Sequence, residues 1–205
     1  MSKIQSNRIP YIGVTGGIGS GKSTLSRLLE LSNIPVYNAD NEAKRLMNES
    51  VTIRQKIDAL TGDTFYIKGV LDKPRFATWL FSDSIHVNQV NQIVHPEVAL
   101  DFIQWAEVVV ANRSGVIAIA IEAAILLEAN FDRLVDYVLL VDAPLEWRIS
   151  RTMIRDHATY AQVIERINAQ MSDCDRRKRA SYIINNGESD ALIPQLDHFL
   201  AFLQK

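Results

Sequence analysis

Short apolar runs alternate along the chain with longer stretches in which apolar residues recur every three or four positions. None of the short runs alternates polar with apolar residues, which is typical of strands buried on both faces of a parallel sheet. The predicted strands are 11–15, 35–38, 116–121, 137–141 and 182–184, and the predicted helices are 23–31, 97–111, 145–154 and 162–180. This order predicts a doubly wound α/β sheet that binds ligands at the carboxyl ends of its strands.

One segment, residues 41–104, carries helical patterns but no buried strand. It is too long for a simple crossover between two strands. We therefore predict an inserted helical subdomain over 41–104, while residues 1–40 and 105–205 form the core. Within the insertion, the stretch "TGDTFYIKGVLDKPRF" is compatible with a turn or with a hairpin.

Composition excludes several classes of protein. The 205 residues are 47% hydrophobic and 22% charged, with a net charge of -2 that gives no reason to expect nucleic acid or an anionic membrane as a partner. Cys174 is the single cysteine, so no internal disulfide can form. No signal-like apolar segment precedes the first strand, and the apolar region 108–127 is interrupted by polar residues. We expect a cytoplasmic protein.

The bend after the first strand contains the sequence "GGIGSGKST". Gly16, Gly21, Lys22 and Ser23 satisfy the pattern G-x-x-x-x-G-K-[ST], between a predicted strand and a predicted helix. Glycine-rich backbone and a helix N-terminus together bind phosphate. We expect Lys22 to reach the β- and γ-phosphates and the Ser23 hydroxyl to bind Mg²⁺. The predicted nucleotide contacts here are Gly17, Gly19, Ser20, Gly21, Lys22, Ser23 and Thr24.

The absence of the usual guanine-binding motifs favours ATP over GTP as the nucleotide. The chain contains no N-K-x-D sequence, and no D-x-x-G follows the third predicted strand. We therefore expect ATP rather than GTP.

Acidic residues follow the second, third and fourth predicted strands. Asp40 could accept a proton from an attacking hydroxyl, or it could cap the next helix. Glu122 could hold Mg²⁺ through water, and it and Glu128 could equally be exposed carboxylates. Asp142 is predicted to cap the helix that follows it.

Arginines recur in "WRISRTMIRD" with helical spacing. Arg151 and Arg155 share one helix face. They could stabilise the negative charge on a transferring phosphoryl group, or they could simply form a solvated surface. A second basic run begins at Arg176, and at most one or two of its four cations can meet one ligand.

Together these stretches resemble the dephospho-CoA kinases, which phosphorylate the 3′-hydroxyl of dephospho-CoA in the last step of coenzyme A synthesis. The resemblance covers Ile12 to about Glu188 and rests on "VTGGIGSGKS", "YNADNEAKRL", "IEAAILLEANF" and "SRTMIRD". It implies a P-loop kinase fold with a five-stranded parallel sheet in the order 2-3-1-4-5, helices on both faces, a helical substrate domain and a short lid over about 150–176. It also implies ATP and Mg²⁺; we expect a monomer, with a homo-oligomer as the alternative.

The resemblance assigns roles to matching positions. It places Asp40 on the family's catalytic aspartate, and we read Pro96 as the start of the helix over 97–111. The predicted catalytic residues are Asp40, Lys22, Arg151 and Arg155. The predicted substrate contacts are Asp40, Lys73, His95, Glu122 and Glu128, the metal ligands are Ser23 and Glu122, and the further nucleotide contacts are Arg176 and Asn186.

The chain departs from the family pattern at four positions. Asn38 and Ser181 replace aspartates, Ala124 replaces a proline, and Lys73 lies where arginine is common. None of these changes affects Lys22, Ser23 or Asp40. Two other functions share this core: a nucleoside or nucleoside-monophosphate kinase, and a nucleotide-dependent switch that transfers no phosphate.

Overall fold

A computed structural model describes residues 8–203, and these residues form two compact units. One unit, here called the sheet unit, comprises the residues up to Tyr37 and those from Val109 onward. The other, here called the helical unit, is Asn38–Val108. The assignment of residues 41–104 to substrate binding stays a prediction.

Seven strands and nine α-helices occur in the described range. The strands are β1 Tyr11–Thr15, β2 Val36–Asn38, β3 Tyr66–Ile67, β4 Val70–Leu71, β5 Ile119–Glu122, β6 Tyr137–Asp142 and β7 Tyr182–Asn185. The helices are α1 Lys22–Leu31, α2 Ala39–Glu49, α3 Val51–Thr61, α4 Lys73–Leu80, α5 Ser84–Asn112, α6 Leu145–Asp156, α7 Tyr160–Asn168, α8 Asp173–Arg179 and α9 Leu192–Leu203. A short 3₁₀-helix covers Phe131–Leu134.

The sheet has five parallel strands in the order β2-β5-β1-β6-β7. Numbered within the sheet alone, this order is 2-3-1-4-5, which confirms the predicted topology. Ile12 of the central strand pairs with Ala120 on one side and Tyr137 on the other. The carboxyl ends of β1 and β5 therefore reach the same edge, where β1 continues into the glycine-rich bend.

A buried apolar cluster fixes the central strand. Ile12 and Val14 of β1 pack with Leu25 and Leu29 of α1, and all four side chains are fully buried. Gly13 lies between these two residues of β1. A side chain has little room there, since a Cβ would lie 2.8 Å from Leu126 Cδ1. Such close packing leaves the end of β1 little freedom, which suits a strand that must hold a binding loop in place.

The helix predicted over 97–111 is much longer. It is continuous from Ser84 to Asn112, with Pro96 inside it, so the prediction that Pro96 opens the helix is wrong. Proline removes one helical hydrogen bond and usually marks a helix start. Here the spacing of buried residues on both sides of it is unbroken, as Val90, Val94 and Val98 show. Burial of this face stabilises the helix through the proline.

The helix predicted over 162–180 is two helices, α7 and α8. Thr159 begins α7 with a capping box that includes Gln162. The Ser172 side chain accepts a hydrogen bond from the Asp175 backbone N–H and begins α8. Serine and threonine at these positions satisfy the free N–H groups of a first turn, so each marks a new start.

The stretch "TGDTFYIKGVLDKPRF", predicted to form either a turn or a hairpin, contains the antiparallel hairpin β3–β4 of the helical unit. Its neighbours Phe65, Phe76 and Trp79 pack on one another with ring centroids less than 6 Å apart. Trp79 also stacks on His86 at 4.2 Å. Across residues 8–203, we find no helix with both the length and the apolar character needed to cross a bilayer.

Candidate active site

The bend between β1 and α1 is shaped by glycines in the left-handed region. Gly19 has a φ of 75° and Gly21 a φ of 98°, and residues other than glycine adopt such angles only with strain. The Ser20 backbone N–H donates to the Gly17 carbonyl at 3.1 Å and closes the turn. Residues 16–21, here called the phosphate loop, thus have the tight conformation that the motif predicts.

Gly17 is distinguished by the close approach of two side chains. A Cβ at this position would overlap Arg148 Nη1 and lie 3.1 Å from Arg176 Nη2. Both arginines come from elements more than one hundred residues further along the chain. The pattern G-x-x-x-x-G-K-[ST] leaves this position open, and only the fold reveals which side chains need the space.

We expect Gly17→Ala to lower the stability of the protein by about 1–3 kcal/mol, the usual cost of an overpacked site. The loop or Arg148 must move, so affinity for ATP should fall as well. Thermal unfolding and calorimetric titration with ATP measure the two effects. In an Arg148→Ala background the same substitution should cost much less, and an equal cost in both backgrounds would contradict the overlap.

Lys22 and Asn186 both contact the phosphate loop directly. Lys22 Nζ donates to the carbonyl oxygens of Gly16 at 2.9 Å and Gly17 at 3.3 Å. Asn186 Nδ2 donates to the Ser20 carbonyl at 2.7 Å. The structure therefore brings together two residues that the sequence predicts to bind nucleotide from opposite ends of the chain.

Arg151 joins this group through the backbone of Asn186. Its Nη1 donates to the Asn186 carbonyl at 3.0 Å, and its guanidinium lies 5.9 Å from the ring centroid of Trp147. Arg155 is exposed and donates to Asp156 at 2.7 Å, a hydrogen bond that raises the pKa of the arginine. The predicted catalytic roles of both arginines stay predictions.

Two buried arginines lie beside Gly17. Arg148 is 1% exposed and Arg176 is 2% exposed, and both donate to Asp173 at 2.5 Å. Arg176 was among the predicted nucleotide contacts, whereas Arg148 was only one of three arginines with helical spacing. No local sequence signal distinguishes Arg148 from the other two, and in the structure its carbonyl accepts a hydrogen bond from the buried Thr152 hydroxyl.

The acidic residue at the end of β5 is buried at the predicted edge. Glu122 pairs in register with Val14 of β1, is 8% exposed, and accepts a hydrogen bond from Ser26 Oγ at 2.9 Å. Ser26 lies one turn after Lys22 in α1, and sequence reasoning missed it. A carboxylate next to a hydroxyl-bearing helix start is a donor set that suits Mg²⁺. Residues 8–203 contain no group of three or more His, Cys, Asp or Glu side chains placed to hold a metal ion.

Glu128 is exposed and accepts a hydrogen bond from the Met171 backbone N–H at 2.8 Å. The adjacent Gln170, which sequence reasoning also missed, links the same segment to the phosphate loop. Its Oε1 accepts from the Ile18 N–H at 2.9 Å, and its Nε2 donates to the Ala124 carbonyl at 3.4 Å. Glu128 thus has a structural contact, and its predicted substrate contact stays a prediction.

Asp40 lies in the helical unit, in the first turn of α2, and is exposed. The residue that caps this helix is Asn38, whose side chain accepts from the Asn41 N–H at 2.9 Å. The alternative that Asp40 caps the helix is therefore wrong, and its carboxylate is available for other chemistry. Its role as the base stays a prediction.

Asp142 does not cap α6, contrary to the prediction. Its carboxylate accepts from Arg177 Nε at 2.7 Å, while Pro144 occupies the cap position without a side-chain hydrogen bond. The Ser181 hydroxyl accepts a hydrogen bond from the Val138 N–H at 3.0 Å and so ties the start of β7 to β6.

The remaining predicted substrate residues lie in the helical unit. Lys73 is exposed at the start of α4, next to Asp72, whose side chain caps that helix. His95 is partly buried in α5, and this burial lowers the pKa of its imidazole. The predicted substrate roles of Lys73 and His95 stay predictions.

Comparison with known proteins identifies the family. Residues 10–191 match the family model described as dephospho-CoA kinase. The chain belongs to the dephospho-CoA kinase family. A dephospho-CoA kinase from Bacteroides fragilis is 43% identical over 192 residues, covering 94% of this chain and 92% of the relative.

Solved structures share the fold of this chain. The crystal structure of TT1252 from Thermus thermophilus superimposes with a TM-score of 0.75 and 30% identity, covering 96% of this chain and 97% of that one. A dephospho-CoA kinase from Campylobacter jejuni, with a TM-score of 0.64 and 18% identity over 95% of both chains, shares the fold. As a member of a kinase family, the chain uses ATP as its phosphoryl donor.

Proposed function

We propose that this protein transfers the γ-phosphoryl group of ATP to the ribose 3′-hydroxyl of dephospho-CoA, giving coenzyme A and ADP in the last step of coenzyme A synthesis. The observation that carries the proposal is the family match over residues 10–191, which includes an intact phosphate loop. Two alternatives, a nucleoside or nucleoside-monophosphate kinase and a nucleotide-dependent switch, have no observation in their favour.

The phosphate loop supplies positioning and charge. Its turn presents backbone N–H groups at the start of α1, where the helix dipole is positive. Lys22 holds the loop carbonyls of Gly16 and Gly17, and its ammonium can exchange these contacts for phosphate oxygens. Phosphoryl transfer needs mainly positioning and electrostatic stabilisation, which are the roles available here.

Asp40 is proposed as the general base. It follows β2 by two residues, and in a parallel sheet the carboxyl ends of the strands form the ligand-binding edge. In the reaction, the 3′-oxygen forms a bond to the γ-phosphorus, the bond from that phosphorus to the β–γ bridging oxygen breaks, and Asp40 takes the hydroxyl proton. ADP leaves with the bridging oxygen.

Ser23 and Glu122 are the proposed Mg²⁺ site, Ser23 by its hydroxyl and Glu122 through water. Ser23 is exposed in the first turn of α1, and Glu122 is held by Ser26 from the same helix. When bound, the ion would neutralise charge on the phosphates. Ser26 keeps the Glu122 carboxylate oriented, a supporting contact of the kind that tunes metal sites.

A panel of acceptors tests the proposed function. ADP release is measured with dephospho-CoA, with nucleosides, with nucleoside 5′-monophosphates and with no acceptor, and the phosphorylated position is read by mass spectrometry. We expect dephospho-CoA to be preferred and to acquire a 3′-phosphate. Preference for a nucleoside or a 5′-monophosphate, or slow ATP hydrolysis that no acceptor accelerates, would each contradict the proposal and support one of the alternatives.

A further inference from the structure

Arg148 carries a buried positive charge whose hydrogen bonds are incomplete. Its side chain is 1% exposed, and its Nη2 donates to Asp173 at 2.5 Å. Its Nε and Nη1 atoms, by contrast, have no hydrogen-bond partner within residues 8–203. Buried charged donors are normally paired because water no longer solvates them. The site therefore has donor capacity that the protein itself does not use.

Asp173 is shared between two arginines. Arg176 also donates to it at 2.5 Å, and Arg176 Nη1 likewise lacks a partner in the described part of the chain. We call Arg148, Asp173 and Arg176 the arginine cluster. Two guanidinium groups and one carboxylate give this cluster a net charge of about +1 at neutral pH, because arginine stays protonated there.

Other charged groups near the cluster do not cancel this excess. Asp142 and Arg177 act on Arg148 with opposite signs, and they form an ion pair with each other at 2.7 Å. Burial lowers the pKa of Arg148, an effect that Asp173 opposes. An anion brought next to the cluster would therefore be stabilised by a charge that is already in place.

The arginine cluster lies against the phosphate loop. The Arg148 Nη1 atom occupies the space that a Cβ on Gly17 would take, and the Arg148 carbonyl and the Thr152 hydroxyl approach Gly19 in the same way. All of these residues belong to the sheet unit. The unbalanced positive charge is thus located beside the loop whose motif binds a triphosphate.

We propose that Arg148 is a positioning residue for the triphosphate: it supports the phosphate loop at Gly17 and contributes charge that the bound polyphosphate compensates. The inference rests on the proposed function in one respect, that ATP is the ligand of the loop. The ligand class it addresses is any polyphosphate, including ATP, ADP and inorganic tripolyphosphate, whatever the acceptor.

Arg148→Gln tests the charge. Glutamine is shorter than arginine and uncharged, so the cluster becomes neutral. Because a buried charge with incomplete hydrogen bonds is then removed, the Tm of the free protein should not fall. The Kd values for ATP and inorganic tripolyphosphate, measured by calorimetry, should rise about 10- to 100-fold, as expected for a lost charged interaction. The ATP-induced increase in Tm should shrink, while the KM for dephospho-CoA stays near that of the wild type.

Two further variants separate charge from packing. Arg148→Lys keeps the charge and should recover most of the ATP affinity. Asp173→Asn raises the net charge of the cluster, so the free protein should be less stable and should gain more Tm from ATP than the wild type does. Arg133→Gln removes an exposed arginine of the sheet unit and serves as the control for net charge.

A purely structural role predicts the opposite pattern: Arg148→Gln lowers the Tm of the free protein and leaves the ATP-induced increase unchanged. That result overturns the inference, as does an Arg148→Lys variant that binds ATP no better than Arg148→Gln. If Arg148→Gln does not fold, an ATP-induced Tm increase in Asp173→Asn no larger than that of the wild type also overturns it. These readouts need no acceptor, so they are independent of the acceptor panel that tests the proposed function.

Discussion

Asp40→Asn is expected to bind ATP and dephospho-CoA with near-normal affinity and to lose most of its kcat, by about 10²–10⁴-fold, the usual contribution of a general base. The amide cannot take the proton of the attacking hydroxyl, but it has nearly the size of the carboxylate. Because the side chain is exposed and Asn38 caps the helix, α2 should keep its stability. Steady-state kinetics and calorimetric binding of each substrate measure the two expectations.

The matched control is Asp197→Asn, which removes an exposed carboxylate from α9 in the sheet unit. It should leave kcat unchanged. Asp40→Ala should resemble Asp40→Asn. An Asp40→Ala enzyme whose kcat is within a few-fold of the wild type would remove Asp40 from the role of base.

Lys22→Ala should weaken ATP binding and turnover together. Removal of a charged donor from phosphate costs about 1.5–3 kcal/mol in binding, and loss of one transition-state donor costs about 10²–10³-fold in kcat. The loop should also relax, because Lys22 Nζ contacts the carbonyls of Gly16 and Gly17. Calorimetry with ATP and kcat at saturating ATP separate the two effects.

Arg27→Ala is the corresponding control, since Arg27 is an exposed cation on the same helix. It should bind ATP as the wild type does. A Lys22→Ala enzyme that regains full kcat at saturating ATP would show that Lys22 acts in binding alone, contrary to the expectation.

The strands of the sheet were predictable because each is a short apolar run with a clear polar boundary. β1 begins and ends at the predicted residues, and β6 and β7 extend one residue further. The third strand was predicted to begin at residue 116, and it begins three residues later, at Ile119, the first of its residues in register with β1. The local sequence pattern predicts that such strands exist, whereas hydrogen bonding to neighbouring strands determines where they begin and end.

Errors arose where a local signal competes with long-range packing. Pro96 has the local signature of a helix start, but burial of residues on both sides of it keeps α5 continuous. Asp142 has the position of a cap, but Arg177, thirty-five residues later, binds its carboxylate. Neither outcome can be read from nearby residues.

The candidate site shows the same division. The phosphate loop follows from residue order because its residues are contiguous. Arg148, Ser26 and Gln170 reach the site only through folding, and each belongs to a common residue type with no distinctive neighbours. Their contacts with Gly17, Glu122 and Ile18 depend on the sheet order, which brings distant segments to one edge.

The cap of α2 has a consequence for acid conditions. The helix begins with the Asn38 amide, whose oxygen accepts a hydrogen bond from the Asn41 backbone N–H. An amide does not gain a proton as the pH falls, so acid cannot release this cap. The backbone that carries Asp40 therefore keeps its capping bond whatever the ionisation of the carboxylate beside it.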